Sequence, residues 1–443
     1  MTEELKNVLA EFDQLSFHEF IEKYQPYDLA EMVTNLDYEN QIAFFETAPR
    51  DLGAEIIEFL EPELQYRIMD HLADDSTITL LNDMSSDKVV DLLLAIHPHQ
   101  AKILMEFLPE DYREKIKTLM TYEANTAGSL ATVDYIGARK SWTIDFTLRH
   151  IRKVGHDAEL VSYIYVIDTH GKLVGVVSLK DIILQKPTTT LEEIIKEDVI
   201  SVSVEMHQEE VADILTKYDL VAIPVLTKDH RMIGIITVDD LIDVIHEEAT
   251  EDIQKLGGSQ PLVEPYFKNS VWSVFRKRIG WLLILFVAEA YTGNVLRHYE
   301  DTLEEVIALA FFVPLLLGTG GNTGTQTVTT LVRAMAVGEV QFKDFFRVMR
   351  KEITTGVFLG LAMGIVTLIR AEILGVGFDI GTVVAITAIF IVIWASFIAA
   401  VLPLILHKLK VDPAVVSGPF ITTFVDGTGL IIYFTLARVM LNL

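Results

Sequence analysis

The 443-residue sequence contains no cysteine. That excludes a disulfide framework and any thiolate-held metal, and it is compatible with the cytosol. Histidine is missing where the chain is most apolar. His298 and His407 stand only at the ends of hydrophobic runs, so a soft or borderline metal inside those runs is disfavoured. No phosphate-binding loop and no nucleophile–base constellation stands out, which argues against an enzyme. The start, "MTEELKNVLAEFDQ", is acidic and amphipathic. It lacks the basic start and apolar core of a secretory signal. Basic residues are also short in one part of the chain. Residues 1–270 hold 51 acids and 23 bases, whereas residues 271–443 hold 12 and 13. The net charge of −27 therefore belongs entirely to the N-terminal part. Such a surface repels nucleic acid and attracts cations, or it is simply a well-solvated soluble face.

What is present divides by pattern into a multidomain chain. Residues 1–128 carry apolar pairs at helical spacing, as in "APRDLGAEIIEFL" and "IHPHQAKILMEFL". Pro49, Pro62, Pro98 and Pro109 each stand where a first helical turn would begin. The expectation is a pile of helical hairpins, an α-superhelix of either hand. Residues 129–250 change character. Here "YIYVIDTHGKLVGVVSLKDII" is echoed by "VAIPVLTKDHRMIGIITVDDLI", with Gly175, Ser178 and Asp181 matching Gly234, Thr237 and Asp240 at an offset of 59. Each copy reads as strand, turn, strand and a helix opened by Ser or Thr with Asp. This doubled pattern resembles a tandem pair of CBS (cystathionine-β-synthase) domains, α/β units at about 135–192 and 198–250. The resemblance implies ligand sensing, often of adenine nucleotides such as ATP, and regulation of an attached module. Asp181 stands where family members hold a ribose; its plain reading is a helix cap.

Residues 239–270 begin as an acidic helix, "DDLIDVIHEEATEDIQKL", and end in a linker, "GGSQPLVEPY". Residues 271–443 contain five apolar runs, at about 279–296, 306–335, 353–373, 380–406 and 414–440, each long enough to cross a bilayer. Ten Lys and Arg flank one side, among them Arg276, Lys277, Arg278, Lys343, Lys408 and Lys410; Arg297, Arg370 and Arg438 fall on the other. The positive-inside rule then places the soluble part in the cytoplasm and the C-terminus outside a plasma membrane. An odd number of spans is awkward for a self-contained pore, and a homodimer would supply ten helices.

Two features inside the runs are costly in lipid. "GTGGNTGTQT" puts Gly318, Asn322 and Gln326 on the second span, and Asp426 lies deep in the fifth. Polar groups there must face protein or water. Asp426 reads as part of an ion path or proton relay, against a plain helix–helix hydrogen bond. Glu289 in the first span reads equally as a path residue or an intersubunit contact. Gly427 and Gly429 permit close backbone approach or local unwinding. Amides, carbonyls and one carboxylate are hard oxygen donors suited to Mg²⁺ or Ca²⁺.

"PLLLGTGGNTGTQ" followed by "VRAMAVGEV" and "VDPAVVSGPFITTFVDGTGLIIYF" resembles the membrane domain of the MgtE family of magnesium channels. The likeness extends over the whole chain: α-superhelical N domain, CBS pair, connecting plug helix and five-helix transmembrane domain. It implies a homodimeric, Mg²⁺-selective channel that closes when cytosolic Mg²⁺ is high. By the same resemblance the pore residues are Asp426, Gly318, Asn322 and the carbonyl of Thr422. The cytosolic magnesium ligands are Glu55, Asp87 and Asp91 in the N domain and Asp219 in the second CBS repeat. Asp240, Asp243, Glu248, Glu251 and Asp252 follow on the plug helix, with Asp412 at the entrance to the fifth span. The alternative from another class is a CBS-regulated secondary transporter that uses Asp426 as a proton or sodium site.

Overall fold

The computed structural model describes residues 2–11, 14–156, 158–262 and 266–443. Part of the expected linker, 263–265, lies outside them. The chain forms two compact units, Met1–Ile245 and His246–Leu443.

In the first unit, the described residues form ten helices from Thr2–Glu11 to Glu110–Leu119. Pro62 and Pro98 open their helices at the first helical position, as expected. Pro49 and Pro109 stand one step earlier, at the cap. Their missing N–H is not needed there, and each carbonyl accepts the first helical hydrogen bond, from Gly53 and Arg113, at 2.8 Å. Helices pack on their next-but-one neighbours: Pro26–Thr34 on Arg50–Glu58, which packs on Asp74–Asp83. This is the stacking of a superhelix. Phe44, Ile56, Ile57, Ile68 and Leu81 are fully buried along it, each worth roughly 1.5–3 kcal/mol relative to exposure.

The tandem pattern gives two three-stranded sheets. In the first, Tyr135–Ala138 pairs parallel with Leu160–Ile167, which pairs antiparallel with Leu173–Ser178. In the second, Val202–Ser203 pairs with Ala222–Leu226, and that strand with Met232–Thr237. Val166 faces Gly175 as Val225 faces Gly234, so the register repeats at the offset read from the sequence. Gly234 is required by close approach: a Cβ there would lie 2.2 Å from the Thr132 carbonyl oxygen. The N domain and the second repeat share one core, in which Leu92 and Leu104 join Val211, Ile223 and Leu241. The first repeat keeps its own, around Ile136, Ile164 and Val177.

The acidic helix, Val238–Leu256, is continuous and begins within the first unit. Among the described residues, five helices long and apolar enough to cross a membrane follow: Val271–His298, Ile307–Ala336, Phe342–Leu374, Phe378–Lys408 and Gly418–Leu441. Span 1 begins before its apolar run, at Val271, because Ser270 caps it, accepting from the Ser273 N–H. Span 5 begins later than its apolar run, at Gly418, after a short 3₁₀ turn Pro413–Val415. Spans 3 and 4 pack through Gly356, Gly360 and Gly364, where any Cβ would meet Ser396 or Ile389 at about 3 Å.

Candidate ion path and acidic sensor sites

The glycine-rich stretch of span 2 serves two purposes on two faces. Gly320, Gly321 and Gly324 are buried, and Cβ atoms there would run into Val425, Thr422 and Ile421 of span 5. These glycines let the two helices touch. Gly318, Asn322 and Gln326 recur every fourth residue on another face, and all three are exposed in the single chain. A Cβ on Gly318 would meet nothing within 4 Å. This polar stripe is the part of the motif that packing does not explain.

Span 5 is held in register by polar anchors. Ser417 caps it and accepts from the Trp281 indole N–H at 3.1 Å; Thr428 accepts from the Trp394 indole N–H at 2.9 Å. The Tyr433 hydroxyl donates to the Leu309 carbonyl at 2.9 Å. Between these anchors, Asp426 Oδ1 is buried without a hydrogen-bond partner. An unsatisfied buried carboxylate oxygen is costly and calls for a missing donor or cation. Thr422 lies one turn earlier, with its hydroxyl 3.4 Å from that of Thr325. The helix is unbroken from Gly418 to Leu441. Of the two roles open to Gly427, close approach therefore holds and local unwinding does not. A Cβ there would lie 2.6 Å from the Tyr291 ring of span 1.

Of the acids expected as cytosolic ligands, Asp87 and Asp240 come together in one place, and Glu251, Asp252 and Asp412 in another. In the first unit, Asp87 is only 7 % exposed. Lys88 Nζ stands 3.6 Å from Asp87 Oδ2 and 3.1 Å from Asp240 Oδ1. Burial, and then the neighbouring Asp240 carboxylate, pushes Asp87 well above the usual carboxylate range. Burial lowers the Lys88 ammonium's tendency to stay charged, but Asp87 and Asp240 together outweigh it and raise its pKa. Three further acids face the same region. Glu58 accepts from the Ser85 N–H at 2.6 Å, and Asp134 accepts from the Ser86 N–H at 2.9 Å. Burial drives Glu159 up to about 7, with Asp240 and Asp239 adding to it. Glu58, Asp134 and Glu159 line or adjoin a polar cavity of about 380 Å³. Sequence reading missed these three acids; Glu58 was findable, three residues beyond Glu55 on one helix. Glu55, Asp91, Asp219 and Asp243 are exposed. Asp219 adopts a left-handed backbone, φ 50°.

In the second unit, Lys255 Nζ bonds Asp412 Oδ2 at 2.7 Å and also pairs with Glu251. Asp412 Oδ1 accepts from the Ala414 N–H at 2.8 Å. Burial, then Asp412, raises Asp252. Glu248 is half-buried. The bridging lysines were not expected from the sequence, because each is separated by more than 150 residues from one of its acids. Among the described residues no three His, Asp or Glu side chains converge as a finished metal cage. Ser178, not Asp181, caps the helix that carries Asp181: the Ser178 hydroxyl accepts from the Asp181 N–H at 3.1 Å and donates to the Asp181 carboxylate at 2.7 Å, which Lys196 approaches to 3.9 Å.

A helical N domain, a tandem α/β pair and helices long and apolar enough to cross a membrane define a multi-pass membrane protein. Comparison with known proteins agrees. Sequence-family models described as "Divalent cation transporter", "MgtE intracellular N domain" and "CBS domain" match residues 313–436, 24–125, and 127–185 with 191–247. The magnesium transporter MgtE of Thermus thermophilus is 36 % identical over 442 residues, covering 99 % of this chain and 98 % of that protein. That of Bacillus subtilis is 31 % identical over 426 residues, covering 96 % and 94 %. The crystal structure of the cytosolic domain of the Mg²⁺ channel MgtE in complex with ATP matches with a TM-score of 0.51 and 33 % identity. It covers 55 % of this chain and 100 % of that one. A second crystal structure, of the soluble part of a magnesium transporter, matches at 0.52 and 29 %, covering 56 % and 98 %. The chain belongs to the MgtE family of magnesium transporters.

Proposed function

We propose that the chain is a Mg²⁺-selective influx channel, active as a homodimer, whose pore closes when cytosolic Mg²⁺ occupies its acidic sensor sites. The observation that carries this reading is the buried, partnerless Oδ1 of Asp426 in mid-span. Asn322 and Gly318 add an exposed polar stripe on span 2. A single chain leaves that stripe uncovered, and lipid cannot satisfy it. A second copy related by a two-fold axis would enclose it and bring two Asp426 carboxylates to one path. Mg²⁺ gives up its waters reluctantly, so Asp426, Asn322 and the Thr422 carbonyl would hold it through water. Inward flow needs no coupled ion, since a divalent cation gains roughly 4.6 kcal/mol per 100 mV.

Closure would come from the acids. Asp87 with Asp240, and Asp412 with Glu251 and Asp252, are sets of like charges held near one another. Mg²⁺ bound among them favours the arrangement that keeps them together, by its higher affinity for that state. Glu55, Asp91, Asp219, Asp243 and Glu248 would add to the same field. An adenine nucleotide in the CBS pair, with Asp181 near its ribose, would shift the same equilibrium. The N-terminal domains then lie in the cytoplasm and the C-terminus outside.

The test is Asp426→Asn in proteoliposomes. It keeps the size of the side chain and removes the charge. Mg²⁺ uptake is expected to be lost while folding and dimer assembly remain. Uptake equal to the parent by a well-folded variant overturns the pore assignment. Parent uptake that required a proton or sodium gradient would overturn the channel mechanism.

A further inference from the structure

Span 1 carries two groups that packing leaves unexplained. The first is Thr292. It is 4 % exposed, and its hydroxyl oxygen is buried with no hydrogen-bond partner. Threonines in helices commonly donate to the carbonyl four residues back, as Thr319, Thr323, Thr330, Thr367 and Thr387 do here. Thr292 does not. The second group is Glu289, one helical turn earlier and so on a neighbouring strip of the helix surface. It is exposed in the single chain, in the middle of an apolar span. A carboxylate there is costly unless water or a cation reaches it.

Thr292 meets span 5 at the level of Asp426, with Glu289 one turn away on the same helix. The position that a Cβ on Gly427 would take lies 3.4 Å from Thr292 Oγ1 and 2.6 Å from the Tyr291 ring. Gly427 is the residue after Asp426. The missing side chain thus brings the Thr292 hydroxyl against the backbone that carries the pore carboxylate. Two buried oxygens, Asp426 Oδ1 and Thr292 Oγ1, are left without partners on adjoining stretches of two packed helices. Neither can satisfy the other, since no hydrogen bond joins them. Each needs a water or a hydrated ion.

We infer that span 1 contributes to the divalent-cation site: Thr292 Oγ1 and the Glu289 carboxylate receive hydrogen bonds from the water shell of the ion held at Asp426. This deepens the pore reading proposed above and rests on it. The ion class is a hydrated divalent cation, because its bound waters are strong donors and these three groups offer acceptors. Glu289 also adds negative charge where an ion must enter, which raises the local cation concentration.

The test uses the full-length dimer in proteoliposomes, with Mg²⁺ as the probe. Thr292→Val keeps the shape and removes the hydroxyl; Thr292→Ser keeps the hydroxyl. Glu289→Gln removes only charge. The Mg²⁺ concentration for half-maximal uptake is expected to rise about tenfold in Thr292→Val and in Glu289→Gln, and to return to the parent value in Thr292→Ser. A second readout needs no transport. The natural chain has no cysteine, so Glu289→Cys gives a single thiol. It is expected to react with a water-borne cationic thiol reagent in Mg²⁺-free solution and to be protected by Mg²⁺. Unchanged half-saturation in both variants, or an introduced thiol that Mg²⁺ does not protect, overturns the inference. If uptake is lost in Asp426→Asn, the pore reading survives that failure. If Asp426→Asn also transports like the parent, the pore reading fails and takes this inference with it.

Discussion

Lys255 is the residue whose removal tests the sensor mechanism most directly. Its ammonium bridges Glu251 and Asp412, which the gating proposal treats as magnesium ligands. One ammonium against two carboxylates leaves a local charge of about −1; Lys255→Met leaves about −2. A divalent ion should then bind more tightly, although the protein has lost an ion pair. At about 4 Å, two unit charges interact by roughly 1 kcal/mol in water and roughly 4 kcal/mol at an effective dielectric near 20. A divalent ion doubles either figure. The side chains are 27 %, 39 % and 37 % exposed, for Lys255, Glu251 and Asp412, so the watery end applies. A free lysine can also swing away from an arriving ion. We take about 1.4 kcal/mol, a tenfold gain in Mg²⁺ affinity. Methionine suits the site, because the lysine stem lines an apolar cavity of about 310 Å³ with Trp281, Ile284 and Val415.

Two opposite effects should therefore appear in one variant. Without Mg²⁺, Glu251 and Asp412 repel unopposed, and protease cutting near 257–262 should be faster than in the parent. With Mg²⁺ added at constant ionic strength, protection and channel closure should set in at about one-tenth of the parent's concentration. Lys255→Arg keeps the charge and should behave like the parent. If Lys255→Met needs the same Mg²⁺ as the parent, or more, Lys255 is only a structural ion pair and the competition argument fails.

Asn322→Leu should abolish conduction or degrade selectivity while leaving the thermal midpoint of the purified dimer nearly unchanged; a loss of stability with intact permeation would mean that Asn322 only joins helices. Neutralising Asp240, Asp243, Glu251 and Asp252 together should leave a channel poorly inhibited by cytosolic Mg²⁺, and closure at the parent's concentration would remove the plug helix from the sensor. Glu159 titrates near 7 in the folded protein and at about 4.3 unfolded. The native state therefore holds the extra proton between these values, and this group's contribution to stability is full at low pH and lost as pH rises through about 7. Glu159→Gln should consequently stabilise the chain on the order of 2 kcal/mol at about pH 8 and little at about pH 4. Thermal melts at both pH values check it, and an equal effect at both would refute the burial argument.

The sequence made the elements legible because each declares itself locally. Helical spacing with prolines at the starts marked the N domain. The doubled "G-φ-φ-[ST]-x-x-D" pattern marked both CBS repeats, down to the Gly175 and Gly234 register. Long apolar runs marked the five spans. Asp426 was legible for a different reason: it breaks a local rule, and a broken rule in lipid is expensive. What stayed hidden was which face of an element a residue takes. The four glycines of span 2 read as one motif, yet three are contact points for span 5 and Gly318 is open. That division depends on where Ile421, Thr422 and Val425 fall, on a helix far along the chain.

The bridging lysines show why charge counting alone could not locate the proposed sensor sites. An excess of acids over residues 1–270 says that cations are attracted, but most of those carboxylates are solvated and weakly coupled. Asp87 differs because burial strips its water while Asp240 stands beside it. Paired acids give a bound cation more to gain the less water they keep. Each of the two acid pairs is already met by a lysine from the helix of one of its acids: Lys88 next to Asp87, and Lys255 one turn after Glu251. A tethered monovalent charge can hold two carboxylates near one another without satisfying both. That sets a floor under compaction and leaves a divalent ion with further free energy to contribute. On this view the lysines determine how much Mg²⁺ closes the channel, and the acids determine that a cation closes it at all.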